Sequence, residues 1–442
     1  MKIACIGNMN NAMYPLTRYL VDEGHIVSLF LLDEFEHFMP EADTYNIDDR
    51  VKIIHLNWSD MTFYKTKKRV IIDLFKPFDF FIGTDFSPAY LLKIKRRLDV
   101  FFPAGGDLFD YPFRPLQKKG FFSEEFQIEA WRCARYQKLG LQLVSVVSMD
   151  SASDDLEIYL KRLKMDKLHR IQALPFLYLP QYKDAFFQQS VYINQIKKLR
   201  NENDFLIIQH CRQSWTCIKS DLHYKGNEIL IEGFSNYVKS HPNIKARLLL
   251  LEYGLDINAS RELIKSLGIE DFVTWLPKMY RRDLMAVIRF CDAGVGELGR
   301  SWFSYGAVYE ILAMKIPFIG NRIDKEYLKK RYDLYPMYHA ETKIHVEKQL
   351  SYIYNNKSKS KIVAENAYQW FLDNAITKSI DQLRFILKEK AFSRKIGIYD
   401  RVKILFIDIE TSFILIATRI GRKIGHVLKF KNIVKTRKII NQ

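Results

Sequence analysis

The sequence predicts an α/β protein with two doubly wound, Rossmann-like domains facing each other across a cleft, followed by a basic amphipathic tail. Apolar runs rich in Val, Ile and Phe alternate with helical patterns in two successive series, which is typical of parallel sheets covered by helices on both faces. A chain of 442 residues is also long for a single hydrophobic core. Basic residues are concentrated beyond residue 390, which sets the tail apart from both series.

The first alternating series predicts an N-terminal domain over residues 1–182. Its predicted strands are KIACIG, HIVSLFLL, KIIHLN, FDFFIG, DVFFPAG and LQLVSVVSM. The candidate helices between them include MYPLTRYLVDEG, PAYLLKIKRR and EAWRCARYQKLG. A polar stretch rich in Gln and Asn follows, and we interpret residues 183–203 as a linker.

The second series predicts a C-terminal domain over residues 204–390. Its predicted strands are DFLIIQH, ARLLLLEYG, FVTWLP, DAGVGEL and IPFIGN, and its helices are GNEILIEGFSNYVKSH, ASRELIKSLG, RRDLMAVIRF and YGAVYEILAMK. The last helix is predicted to begin near Ser304, a favourable N-cap, and to end before Pro317. Two such domains usually hold a ligand between them, beyond the carboxyl ends of their strands.

A single carboxylate, Glu310, interrupts the apolar segment VYEILAMKIPFIG. Val308, Ile311 and Leu312 share one face of the predicted helix, whereas Glu310 lies on another face in line with Gly306. The glycine would leave room for a ligand, and the carboxylate could then accept hydrogen bonds from the vicinal hydroxyls of a sugar. The alternative is a solvated Glu on an amphipathic helix.

The order of segments from Lys225 to Pro317 resembles the donor domain of family 4 glycosyltransferases, which have the two-domain GT-B architecture. The matching segments are KGNEILIEGFSNYV, ARLLLLEYG, RELIKSLGIEDFVTWLP, RRDLMAVIRFCDAGV and YEILAMKIPFIGN. LVDEGHIVSLF and AENAYQWFLDNAITKSIDQLRFIL are similar to the family's first and closing helical regions, so the resemblance covers about residues 1–390. It implies a retaining glycosyltransferase that uses a UDP- or GDP-linked sugar and needs neither a metal ion nor a cofactor.

The resemblance also implies roles for residues on the helix that carries the carboxylate. Glu310 matches the second Glu of the family's motif of two Glu separated by seven residues, which binds the ribose of the donor. The first Glu falls at Trp302, and an indole can stack on a sugar but cannot accept its hydrogen bonds. Contact with the transferred sugar is therefore in question. Glu297 is near in sequence but out of register.

The diphosphate of the donor is assigned to Arg212 and Lys225, which match basic positions of the family. In that role both are catalytic, because they stabilise the leaving nucleoside diphosphate, and no dedicated base is required if the departing phosphate takes the acceptor proton. Gly226 would begin a helix whose N–H groups add partial positive charge. An insertion lengthens the spacing between the two cations, so Lys219 is a rival to Lys225, and two ordinary loop cations remain the alternative.

Two loops of the N-terminal domain are candidate acceptor sites. The loop GNMNNAM offers a glycine for a tight turn and three Asn side chains for sugar hydroxyls. The loop PAGGDLF offers two glycines and Asp107, a candidate catalytic carboxylate that could orient the acceptor hydroxyl. The acceptor-binding candidates are Gly7, Asn8, Asn10, Asn11, Gly105 and Gly106. Turn formation by the Asn residues and helix capping by Asp107 are the alternatives.

The tail, residues 391–442, combines positive charge with amphipathicity. From Lys390 to Gln442 there are thirteen basic and three acidic residues, so this stretch carries +10 of the chain's net +17. Apolar residues recur every three or four positions from Leu405 to Val427. Asp408 and Glu410 interrupt the apolar run, which therefore falls short of the ~20 residues that a membrane-spanning helix needs. The pattern predicts a helix lying on an anionic membrane, to which the clusters KTKKR and KIKRR could add charge. The alternative is a helix packed on the enzyme's own surface.

These features together predict a cytoplasmic glycosyltransferase, peripheral on the inner face of the cell membrane. It would transfer a sugar to a glycan or lipid-linked acceptor in cell-envelope polysaccharide or lipopolysaccharide synthesis. The alternatives are a degenerate homologue that binds a nucleotide or glycan and supports a partner transferase, and an epimerase or phosphorylase of the same architecture. Five scattered cysteines without a CxxC pair favour a reducing compartment, and the absence of a recognisable nucleic-acid-binding module argues against nucleic acid as a partner.

Overall fold

The computed structural model describes residues 1–32, 35–116, 125–149, 154–219, 223–303, 306–329, 333–389 and 396–440. The predicted N-cap at Ser304 lies outside these residues.

A parallel sheet of seven strands forms the first domain, in the order β3-β2-β1-β4-β5-β6-β7. Its strands are β1 (Lys2–Ile6), β2 (Ile26–Leu31), β3 (Lys52–His55), β4 (Phe80–Gly83), β5 (Val100–Phe101), β6 (Val146–Ser148) and β7 (His169–Ile171). Its helices are α1 (Met13–Asp22), α2 (Lys68–Phe75), α3 (Ser87–Lys93), α4 (Gly106–Phe109), α5 (Glu125–Gln142) and α6 (Asp154–Leu163). The strand order reverses between β1 and β4, where doubly wound sheets bind ligands.

A second parallel sheet of six strands repeats this order as β10-β9-β8-β11-β12-β13. Its strands are β8 (Phe205–Gln209), β9 (Ala246–Glu252), β10 (Val273–Pro277), β11 (Ala293–Val295), β12 (Phe318–Gly320) and β13 (Tyr338–His339). Its helices are α9 (Asn227–Ser240), α10 (Ile257–Ser266), α11 (Arg281–Arg289), α12 (Gly306–Ala313), α13 (Asp324–Leu328), α14 (Lys343–Asn355) and α15 (Lys357–Phe371). Two doubly wound domains are therefore confirmed, and the order of this sheet reverses between β8 and β11.

The chain passes between the domains twice. Residues 183–203, predicted as a linker, contain α7 (Asp184–Phe187) and α8 (Ile193–Glu202), and Phe187 and Ile196 are buried in the core of the second domain. After a π-helical turn, Leu372–Thr377, the chain returns as α16 (Lys378–Lys388). The apolar side of α16 packs against the first sheet: Ile380, Leu383, Ile386 and Leu387 share a core with residues of β1 and β2.

The tail forms one helix of 43 residues, α17 (Ile398–Ile440), whose first half packs against α5. Among the described residues, no helix is long and apolar enough to cross a membrane. Of the two basic clusters, KIKRR contributes less surface charge than predicted, because Lys93 is buried and donates hydrogen bonds to backbone carbonyls, including that of Thr66 at 2.7 Å. Burial lowers the pKa of Lys93 to about 8.

Candidate functional site

The carboxyl ends of β8 and β11 meet the first turn of α9 at the switch point of the second sheet. The side chain of Gln209 joins all three, because its Nε2 donates to the carbonyl of Gly296 at 2.9 Å and its Oε1 accepts from Asn227 Nδ2 at 2.9 Å. Asn227 in turn accepts the N–H of Ser214 at 3.0 Å. These buried bonds fix the edge at which doubly wound domains bind their ligands.

Glu310 lies on α12 above this edge and is only 7% exposed. His210 Nε2 is 2.9 Å from its Oε2, and Arg281 Nε donates to its Oε1 at 3.0 Å. Burial alone raises the pKa of a carboxyl group, but the hydrogen bond from His210 and the charge of Arg281 outweigh it and lower the pKa of Glu310 to about 2. Glu310 is therefore an ionised carboxylate at neutral pH. The predicted apolar face of the same helix, Val308, Ile311 and Leu312, is fully buried.

Arg281, the first residue of α11, links Glu310 to the first domain. Its Nη1 donates to the carbonyl of Asn11 and to Asp43 Oδ1, each at 3.1 Å, and its Nη2 donates to the carbonyl of Asn10 at 2.5 Å. Burial raises the pKa of Asp43 by more than the neighbouring guanidinium lowers it. One guanidinium thus connects the carboxylate of α12 with the loop that follows β1 and joins the two domains.

Lys225 and Gly226 form the entrance to α9. Gly226 has a φ of +66°, and a Cβ there would lie 2.5 Å from the backbone nitrogen of Gly299, so only glycine fits. Lys225 Nζ is 2.7 Å from Glu297 Oε1. Burial raises the pKa of Glu297 despite the opposing charge of Lys225. Glu297 is out of register with the family motif. It nevertheless contacts the lysine that was predicted to bind phosphate.

Cys211 lies among the charged groups of this site. Burial has the largest effect on its thiol and raises its pKa, and four charged side chains also act on it electrostatically. They are Glu297, Lys225, Glu310 and Arg212. The structure therefore gathers around the end of β8 the charged donor-site residues that were predicted from separate segments.

Of the two candidate lysines, Lys225 lies in this cluster and Lys219 does not. Lys219 is exposed in the preceding loop, where its charge acts on Glu228. Arg212 is half-buried, with its Nη2 3.3 Å from His223 Nδ1. The pair at the edge of the sheet is therefore Arg212 and Lys225.

Trp302 and Gly306 flank the side of the site nearest α12. The backbone N–H of Trp302 donates to the carbonyl of Asn321 at 2.9 Å, while its indole Nε1 is buried without a hydrogen-bond partner among the described residues. An indole N–H only donates, and the surrounding protein encloses this one. A Cβ on Gly306 would make an ordinary van der Waals contact with the ring of Phe176, at 3.8 Å, so this ring borders the space that was predicted for a ligand.

The loop after β1 differs from its prediction as a sugar-binding surface. Gly7 has a φ of +86° and passes close to Thr84, as a tight turn requires. Asn8 is buried and caps α1, because its Oδ1 accepts the N–H of Tyr14 at 2.9 Å while its Nδ2 donates to the carbonyl of Phe38. Asn11 is also buried, and its side chain bonds to Asn8 and to the backbone of His37. The turn-forming alternative is correct for these two residues.

Asn10 is the member of this loop with an exposed side chain, and its side chain has no hydrogen-bond partner among the described residues. Its φ of +56° presents the backbone carbonyl to Arg281. Asn10 is therefore the one side chain of the three that remains available to a ligand.

Asp107 is not placed as a catalytic carboxylate. It is 1% exposed, and its two oxygens accept the backbone N–H groups of Ala104, Gly105 and Asp85 at 2.9–3.1 Å, together with the hydroxyl of Thr84. Burial raises the pKa of Asp107, and these hydrogen bonds, which lower the pKa, only partly offset that effect. Asp107 therefore holds two loops together at the end of the first sheet, and the prediction that it orients an acceptor is wrong. Gly105, at φ +134°, and Gly106 form the turn that begins α4.

No protein-family model and no curated protein matches this sequence, but solved structures match its fold. HepE from Anabaena, in complex with UDP and glucose, has a TM-score of 0.56 at 14% identity, over 88% of this chain and 100% of HepE. A glycosyltransferase from Rickettsia africae has a TM-score of 0.56 at 14% identity, over 88% and 98%. Sucrose-phosphate synthase from Thermosynechococcus elongatus has a TM-score of 0.52 at 12% identity, over 89% and 99%.

The chain has the GT-B fold. The predicted architecture is therefore confirmed. At 12–14% identity this likeness establishes the fold alone. The roles of individual residues are inferred from the geometry of the candidate site.

Sequence reasoning missed three residues of the candidate site, His210, Arg281 and Asp43, which are linked to Glu310 by hydrogen bonds. His210 directly follows the strand that precedes Arg212, so its position at a strand end was a usable signal. Arg281 and Asp43 carry no such signal, because their pairing joins two domains across 238 positions of the chain.

A possible metal-binding group lies away from the GT-B cleft, at β13 and α14. The ligand atoms of His339, Glu341 and His345 lie within 4.8 Å of one another. However, His339 Nδ1 accepts the backbone N–H of Arg322 at 3.4 Å. In a neutral imidazole the proton is then on the other ring nitrogen, Nε2. This Nε2 is the atom that lies 3.9 Å from the carboxylate of Glu341. A protonated Nε2 does not ligate a metal ion, so this hydrogen bond favours a structural role.

Proposed function

We propose that this protein is a glycosyltransferase that takes its sugar from a nucleoside diphosphate donor. The observation that carries the proposal is Glu310, a buried carboxylate that His210 and Arg281 hold at the carboxyl edge of the second sheet. A carboxylate has about four acceptor positions, and His210 and Arg281 occupy two of them. The remaining positions suit the two hydroxyls of a ribose.

The diphosphate would lie between Glu310 and the N-terminus of α9. Arg212 and Lys225 supply positive charge there, and the first N–H groups of α9 add the partial charge of a helix N-terminus. Charge on the leaving diphosphate grows in the transition state, so these groups favour departure of the nucleotide. We propose on this basis a retaining, metal-independent transfer in which the departing phosphate accepts the proton of the acceptor.

The acceptor would enter from the first domain, near Asn10 and the turns at Gly7 and Gly105. A glycan or lipid-linked acceptor in cell-envelope polysaccharide or lipopolysaccharide synthesis, and a cytoplasmic location on the inner face of the membrane, are part of this proposal. The donor is proposed to be linked to UDP or GDP. HepE was crystallised with UDP and with UDP-glucose, which supports testing UDP-sugars first.

One observation favours a second candidate function, a degenerate transferase that binds the nucleotide and supports a partner enzyme. Trp302 occupies the position of the family's first Glu, and its indole cannot accept a hydrogen bond from the transferred sugar. In that case the protein would bind the donor without turning it over.

The test is a thermal-unfolding panel of UDP-, GDP-, ADP- and CMP-linked sugars, each with and without EDTA. A ligand at a hundredfold excess over its Kd stabilises the fold by about 2.7 kcal/mol, so one nucleotide should raise the unfolding temperature, with no effect of EDTA. The rise should be smaller in Lys225→Ala than in the wild type, and unchanged in the exposed control Lys219→Ala. If no nucleotide changes the unfolding temperature, the proposal fails.

A further inference from the structure

The first half of α17 has a buried face that fixes it on α5. The buried residues of this face are Ile404, Ile407, Thr411, Leu415 and Thr418. Their spacing of three or four positions places them on one side of the helix. Asp408 anchors the contact, because Arg132 and Tyr136 of α5 both donate to it, Tyr136 at 2.6 Å.

The opposite side of this half of the helix is apolar and exposed. Nine large apolar side chains, each between 41% and 83% exposed, form what we call the α17 outer face: Ile398, Tyr399, Val402, Leu405, Phe406, Ile409, Phe413, Ile416 and Ile420. At about 100° per residue they span an arc of roughly 120°, centred opposite the buried face. A contiguous apolar surface of this kind marks an interaction site.

Most of the positive charge of the tail lies beyond the α17 outer face along the chain, because residues 398–420 hold three basic and three acidic residues whereas residues 421–442 hold seven basic and no acidic residues. The tail from Lys390 to Gln442 carries +10, and its acidic residues are paired: Asp400 with Lys403 at 3.2 Å, Glu410 with Arg135 at 3.0 Å, and Asp408 as described above. Lys68 of α2 lies 3.8 Å from Asp408. This contact brings the exposed basic residues of the cluster 65–69 alongside the helix.

We propose that the α17 outer face, together with the basic residues beside it, docks this protein on the surface of an anionic lipid bilayer. An anionic bilayer satisfies both features at once, because its headgroups attract the basic residues and its acyl boundary receives the apolar side chains. A second copy of this chain is a poorer occupant, since it would bring two tails of +10 into contact. The helix lies along the surface and, through α5, holds the acceptor-side domain against the membrane.

The test uses the full-length chain and vesicle flotation, with phosphatidylcholine vesicles compared with mixed phosphatidylcholine and phosphatidylglycerol vesicles. The wild type should float with the anionic vesicles. Salt should weaken this binding, because the Debye length falls from about 10 Å at 0.1 M to about 3 Å at 1 M. The double substitution Phe406→Ser and Phe413→Ser should reduce bound protein at least tenfold.

Both phenylalanines are exposed, so the double variant should unfold at the wild-type temperature. A matched control, Val191→Ser with Leu255→Ser, removes two exposed apolar side chains elsewhere and should float like the wild type. Equal flotation of the double variant and the wild type would overturn the proposal. So would a wild-type protein that ignores vesicles and instead sediments as a dimer that the double variant abolishes.

Discussion

The substitution Glu310→Gln removes one negative charge from a buried cluster and keeps its shape. In the wild type this carboxylate accepts from His210 and from Arg281, and its pKa is lowered from 4.5 to about 2. At about 1.36 kcal/mol per pKa unit, the ionised form is stabilised in the folded protein by about 3 kcal/mol. Because the folded pKa is depressed, this contribution is present above about pH 4.5 and is lost as the pH falls towards 2.

The glutamine variant should therefore be less stable than the wild type by about 3 kcal/mol at neutral pH, with Arg281 retaining only Asp43 as an ionic partner. The difference should shrink as the pH falls below about 4.5. Nucleotide binding should weaken as well, because losing a hydrogen bond to a charged group costs about 1.5–3 kcal/mol. That cost corresponds to roughly a tenfold to hundredfold increase in the Kd of the nucleotide.

The assay is a pair of urea titrations, at neutral pH and near pH 3.5, with calorimetric titration of the nucleotide that binds the wild type. Glu262→Gln on the exposed surface of α10 is the matched control, and it should change neither quantity. A variant with wild-type urea midpoints would refute the ionised cluster. Lost stability with an unchanged nucleotide Kd would show that Glu310 is a structural link between the domains and does not bind ribose.

Five further substitutions test other parts of the site. Arg212→Ala and Lys225→Ala should lower kcat more than they raise the KM for the donor, because charge grows on the leaving diphosphate in the transition state. Steady-state kinetics measures both constants. If Lys219→Ala is the damaging change instead, this assignment is contradicted. Gly226→Ala should lower the unfolding temperature more than Gly268→Ala. Both glycines have a φ of +66°, but only at Gly226 would an added Cβ have backbone atoms within 4 Å. Equal losses would mean that the close contact with Gly299 does not matter. Asp107→Ala should cost about 1–3 kcal/mol for each backbone N–H left unpaired and leave the nucleotide Kd unchanged, and a selective loss of acceptor binding in a stable variant would restore its catalytic role. Trp302→Glu should increase turnover if the tryptophan weakens contact with the transferred sugar, whereas decreased turnover with unchanged nucleotide affinity would show that the indole contributes to transfer.

The fold was predictable because both sheets are parallel and buried on both faces. Strands such as β8, with FLII, and β9, with LLLL, contain continuous apolar runs, which identify this kind of sheet. Two strands escaped prediction, β7 (His169–Ile171) and β13 (Tyr338–His339), because runs of two or three residues with polar members have no readable period. The number of strands in each sheet was therefore less predictable than the parallel arrangement of the strands.

Residues of the site were predictable only where the local sequence pattern around them gave a signal. Glu310 interrupts an apolar helix, and Lys225 precedes a glycine at a helix start, so local pattern identified both. Asn8 and Asp107 have the same residue types as genuine ligand-binding groups, and only the folded chain shows that their hydrogen bonds are made inside the protein. Arg281 reaches Glu310 across 29 positions and Asn10 across 271, a distance over which one sequence carries no signal.

Hydrogen exchange measured by mass spectrometry, with and without the nucleotide-sugar that stabilises the protein, tests most directly whether the donor binds at the edge of the second sheet. The binding site described above predicts slower exchange in the first turn of α9 (Asn227–Ser240) and in α12 (Gly306–Ala313), with no change in α10 or α14. Protection confined to the first domain, or no protection in α9 and α12 at saturating nucleotide, would contradict it.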